Sequence, residues 1–193
     1  MESRRRLIKV GGLFGIVTPV LISAFILSAI YLSPWFDWME NALSDLGVNG
    51  VAAVLFNTGL ILSGLLTLIF AFGLRETLRD RKSNQIGVAI LMLAAVALSC
   101  IGFFPETVKP LHFYFSVAFF MLLSISLLTI GFTVTLQPSR RGIGLFTLLL
   151  GFASAIPWIF SWKGVAIPEA LSALAALIWL FVVGFRLLKE EAF

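Results

Sequence analysis

The chain has 193 residues, of which 60% are apolar and only 12% charged, with a formal net charge of +4. Its mean hydropathy is +1.04. A water-soluble globule has no way to hide that much apolar surface, so a soluble enzyme, a disordered tail and a nucleic-acid-binding module are excluded.

A bilayer core of about 30 Å needs roughly 20 apolar residues per helix. Six stretches meet that length, at 10–32, 51–74, 86–104, 111–136, 142–160 and 168–187. They predict an all-α, polytopic six-helix bundle in which residues 1–193 form one integral membrane domain. Arg4, Arg5, Arg6 and Lys9 precede the first stretch, as they would in a signal peptide. Its apolar run exceeds a signal core and no small-x-small cleavage site follows, so it reads as a retained helix.

Between the first two spans lies Ser33–Gly50, too long for a tight turn. Trp35, Trp38, Met39, Leu43 and Leu46 recur there at helical spacing, with Asp37, Glu40, Asn41, Ser44 and Asp45 on the opposite face. This pattern predicts a short amphipathic helix in the interface, or a lid over the bundle. Pro34 suits its first turn, and Gly47 and Gly50 suit its end. In the second span Asn57 is the only amide, and bonding to another helix is its expected role. Gly11, Gly12, Gly15, Gly59, Gly64, Gly142 and Gly144 mark places where helices can approach closely.

The Arg75–Gln85 connector pairs Arg75 and Arg79 with Glu76 and Asp80 at helical spacing, which extends the second helix past the bilayer. Cys100, the single cysteine, lies in an apolar run and reads as a packing residue; alone it makes no internal disulfide. Pro105-Glu106 and Pro168-Glu169 each lie near the start of an even-numbered span, where proline and glutamate suit a helix start.

Basic residues alternate between loops. Of the 14, only Lys109 and Lys163 fall on one side. The positive-inside rule then predicts a cell-membrane protein with both termini in the cytoplasm. Tyr31, Trp35, Trp38, Tyr114, Trp158 and Trp162 gather at the opposite, outer interface, where amphipathic rings are favoured.

No ionisable side chain occupies the centre of a span, which argues against a midplane proton relay or a voltage sensor. Polar groups instead collect on the outer rim: Asp37, Glu40, Asn41, Ser44, Asp45, Glu106, His112 and Glu169. Asp45, Glu106 and His112, the single histidine, are the candidate catalytic or divalent-metal residues, since carboxylates and an imidazole serve either chemistry. No other cofactor is implied. Ser44, Asn57, Glu40, Glu169, Trp35 and Trp38 are the candidate substrate contacts. The alternative is that the acids cap helices and face water.

Ser44-Asp45-Leu46-Gly47, Asn57-Thr58-Gly59-Leu60, Gly102-Phe103-Phe104-Pro105 and His112 together give the chain a likeness over nearly its whole length. It resembles the prokaryotic membrane family known as domain of unknown function 998, which implies six helices and no settled activity. More distantly, Leu43-Ser44-Asp45-Leu46-Gly47 and His112 are similar to motifs of the eukaryotic DRAM, Frag and Sfk membrane family. There a Pro-Glu follows the glycine, and it is absent here. That likeness implies lipid handling or membrane trafficking. The expected function is recognition of a lipid or amphipathic small molecule at an outer vestibule. One alternative is a hydrolase or transferase acting on a lipid headgroup, with His112 as acid or base and Asp45 or Glu106 as its partner. Another is a structural subunit. Membrane lipids are the expected partners, with a homo-oligomer or a membrane partner protein open and nucleic acid excluded.

Overall fold

The computed structural model describes residues 2–189. Among these residues are six helices long and apolar enough to cross a membrane. They are α1 (Glu2–Tyr31), α2 (Gly50–Thr77), α3 (Lys82–Phe103), α4 (Leu111–Thr135), α5 (Arg141–Ala155, followed by a 3-10 turn at Ile156–Ile159) and α6 (Ala166–Leu188). Each helix packs on the next in chain order, and α1 closes the ring against α6. Gly12 lies beside the Leu188 backbone. The two ends of the described chain therefore emerge at the same, arginine-rich end of the bundle.

Several helix limits differ from the hydropathy limits for local reasons. α1 begins at Glu2 and α3 at Lys82, because a helix continues through charged residues as readily as through apolar ones. Arg4 supports the first extension by pairing with Glu76 at 3.7 Å, and Gln85 supports the second, its Nε2 donating to Arg75 O at 3.1 Å and to Leu78 O at 2.9 Å. α5 is shorter than expected. Pro157 has no amide hydrogen to donate, and the helix gives way to the 3-10 turn around it.

Lipid is as apolar as leucine, so association here rests on close packing rather than on escape from water. The glycines mark where it happens. A Cβ on Gly11 would stand 2.8 Å from the Gly73 Cα, and one on Gly15 would stand 2.8 Å from the Gly184 Cα. These are backbone-to-backbone crossings of α1 with α2 and of α1 with α6. Gly64 is packed in the same way against α3 and Gly144 against α4, while Gly59 makes room for the Phe25 side chain of α1. Gly142 is the exception, since it borders open space and helps no helix to approach.

The segment between α1 and α2 departs from the expected amphipathic helix. Asp37 Oδ1 accepts from the backbone amides of Met39 at 2.7 Å and Glu40 at 3.2 Å, and Asn41 Oδ1 accepts from the amide of Asp37 at 2.8 Å. Such side-chain bonds offer the backbone an alternative to a helix and fold it into turns. Only Leu43–Gly47 is helical, as one 3-10 turn, and Leu43, Ser44, Leu46 and Gly47 in it are buried. Two backbone bonds stitch the preceding residues to the segment before α6: Gly164 N–H to Met39 O at 2.7 Å and Ala166 N–H to Asn41 O at 2.9 Å. The Leu43–Gly47 turn thus sits among the helix ends as a plug.

Candidate functional site

The plug is held from three directions. Leu43 N–H donates to Glu169 Oε2 of α6 at 2.7 Å. Ser44 Oγ donates to Glu106 Oε2, in the turn before α4, at 3.0 Å. Asn57 Nδ2 of α2 donates to Gly47 O at 2.9 Å. The amide of Asn57 therefore ties α2 to the plug rather than to another helix. Glycine at 47 lets the plug sit this close to α2, since a Cβ there would stand 2.6 Å from Asn57 Oδ1 and 3.0 Å from the Phe56 ring. Gly47→Ala is expected to lower stability by about 1–3 kcal/mol, as overpacking of a close contact does; a thermal melt in detergent measures it.

Beside the plug lies a cavity of about 780 Å³. It exists because α4 and α6 barely touch and α5, which fills the space between them, ends at Ala155. Its polar end carries Ser44, Glu106, Lys109, His112 and Glu169, and from there it runs along α4 past Phe113, Val117, Met121 and Ile125 to Leu128. Those first four apolar residues are exposed on the flank of the bundle, so the cavity opens sideways. Lys109 Nζ stands 3.7 Å from Glu106 Oε1 at the rim. A chain of bonds closes the far wall: Trp158 Nε1 donates to Ser172 Oγ at 2.8 Å, and Ser172 Oγ donates to Ser154 O at 2.7 Å. Ser154 Oγ and Ser124 Oγ lie 2.9 Å apart.

His112 is buried, and its Nδ1 lies 2.8 Å from Phe104 O. A carbonyl only accepts, so Nδ1 carries the hydrogen and Nε2 is the nitrogen left for other partners. The orienting group is a backbone carbonyl and not the expected carboxylate. Asp45 is spent inside the plug, where its Oδ2 accepts from Ala42 N–H at 2.8 Å, and it does not line this cavity. Among the described residues no three of His, Cys, Asp and Glu are grouped to hold a metal ion, so Asp45, Glu106 and His112 do not make one ligand set.

Glu106, His112, Ser44 and Glu169 are brought together on one cavity, whereas Glu40, Trp35 and Trp38 are not. Glu40 pairs with Lys163 at 3.0 Å on the surface, and both tryptophans are exposed on the loop. Neither glutamate follows the helix-start reading in full. Glu106 lies outside α4 and accepts from Ser44; Glu169 is in the first turn of α6 but is 8% exposed, turned toward the plug instead of water. Ser116, Phe120, Ser124 and Trp158 also line the cavity; the sequence marks Trp158 only as an interfacial aromatic and singles out none of the other three. The i, i+4 ridge His112, Ser116, Phe120, Ser124 on α4 is the signal that would have found three of them.

Taken together, the ring of six apolar helices, the buried plug and the sideways-opening cavity define a multi-pass helical membrane protein with an amphipathic pocket at its acid-rich end. The chain belongs to the family described as Protein of unknown function (DUF998), whose model matches residues 16–186. No curated protein and no solved structure matches it.

Proposed function

We propose that the protein binds a membrane lipid or similar amphiphile in the cavity between α4 and α6, with the polar head at the acid-rich end. The observation that supports this is the polarity gradient of the cavity: ionisable groups at one end, then an apolar floor open on the flank. A groove of this kind accepts a head and a chain together, entering from the bilayer side. Glu106, Glu169, the Ser44 oxygen and His112 Nε2 offer acceptors, which favours a head that donates hydrogen bonds through ammonium or hydroxyl groups. Lys109 at the rim suits the phosphate of a zwitterionic head. Positive-inside orientation would make this the outer leaflet of a cell membrane.

Native mass spectrometry of the detergent-purified protein tests the reading. Retained phosphatidylethanolamine is expected, and the double variant Glu106→Ala, His112→Ala is expected to lose it. Delipidated protein that takes up no lipid from vesicles of phosphatidylethanolamine and phosphatidylglycerol would overturn it.

One observation favours a second reading, acid–base chemistry on the bound head. The pinned Nδ1–H of His112 fixes the ring with Nε2 free to exchange a proton, as an oriented catalytic imidazole requires. Under that reading His112→Gln retains lipid and abolishes its conversion.

A further inference from the structure

Inside the helix ring, roofed by Leu43 and Ser44 of the plug, lies a second cavity of about 110 Å³. Ser44, Ser116, Phe120 and Glu169 line both cavities, so the two share a single wall between α4 and α6. We propose that this wall is a lateral portal, and that the end of the amphiphile's apolar chain passes between Phe120 and Glu169 into the interior chamber. The inference rests on the proposed amphiphile binding and adds where the chain goes.

Three features carry it. The portal lies where α4 and α6 are least joined, so passage there breaks little packing. Glu169 is the only ionisable residue that lines the chamber, and it stands at the mouth, where a polar head would stop while the chain continues. The chamber is on the order of the 150 Å³ apolar cavity that stays dry and takes up benzene, room for a chain end rather than a whole lipid. An empty chamber forfeits the dispersion contacts on which a bundle in lipid depends, and hydrocarbon restores them.

Phosphatidylethanolamine carrying a diazirine at the last carbon of one chain, in vesicles with phosphatidylglycerol, tests this on the wild-type protein. The expected label falls on chamber residues buried from lipid, such as Leu60 of α2 and Leu91 of α3. The same lipid with the diazirine beside its headgroup is expected to mark Phe113 and Val117. Ala94→Leu, which fills the chamber, is expected to lose the chain-end label and keep the head-proximal one. Chain-end label confined to Met121 and Ile125 would overturn the portal while leaving amphiphile binding intact. Label on α4 no stronger than on lipid-facing Leu27 and Val54 would overturn both.

Discussion

Glu169→Leu and Glu169→Gln are expected to separate, because the side chain has two tasks. Its Oε2 accepts the buried amide of Leu43, and its carboxyl group faces both cavities. Leucine leaves the Leu43 N–H without a partner in a place water does not reach. An orphaned buried donor costs about 2 kcal/mol, which for a chain of this length lowers the melting temperature by roughly 4–8 °C. Glutamine still offers a carbonyl oxygen to Leu43, so its melt in detergent is expected to match wild type. It puts an amide NH2 where the second carboxyl oxygen stood at the head-binding end, and one acceptor lost there costs about 0.5–1.5 kcal/mol, so phosphatidylethanolamine is expected to bind roughly 2- to 13-fold more weakly. Thermal melts alongside lipid titration by native mass spectrometry read both quantities. A glutamine variant that melts as low as the leucine variant would assign Glu169 to the plug alone.

The plug also shows what a linear reading misses. Hydropathy located all six helices because each span has to be apolar over a length fixed by the bilayer, and that constraint is local. It placed the helix ends less well at Glu2 and Lys82, where charge ends the apolar run but not the helix, and at Ala155, where a proline ends the helix within it. Periodicity then misassigned the loop. The spacing of Trp35, Trp38, Leu43 and Leu46 is helical, but Asp37 and Asn41 capture nearby backbone amides and hold turns instead. The candidate site was legible as a collection of residue types on one rim and not as a geometry. Glu106 and His112 do share a cavity, with Ser44 and Glu169. Asp45 has the right chemistry but is turned to Ala42 N–H, three residues away in its own loop. Glu169 followed a proline at a helix start, which is enough to explain a glutamate. Its partner, Leu43, lies 126 residues earlier in the chain, and no local pattern announces a contact of that range.

Trp179→Ala is expected to be the most destabilising single change in the bundle, and the lipid environment decides its size. Trp179 of α6 is fully buried; its Nε1 donates to Thr147 Oγ1 of α5 at 3.0 Å, and its ring meets Phe70 of α2 edge-on, with centroids 5.6 Å apart. Phe70 in turn packs against Gly15 of α1. One indole therefore joins α5 and α6 to α2, and through Phe70 to α1. In a soluble core, deleting such a side chain costs about 3–5 kcal/mol, part from lost transfer out of water and part from the cavity left behind. In a bilayer the transfer part shrinks, because separated helices face hydrocarbon, but the cavity part stays, because its lining loses dispersion contacts outright. The lower end of that range, about 3 kcal/mol, is the expected cost, or roughly 6–12 °C in an apparent melt. Trp179→Phe separates the two contributions. It keeps most of the ring and removes the bond to Thr147, whose hydroxyl still donates to Ile143 O at 2.8 Å, so its loss should be close to one neutral hydrogen bond, about 1 kcal/mol. Equal losses for the two variants would mean that the bond to Thr147, and not the packing of the indole, holds α5 in the ring.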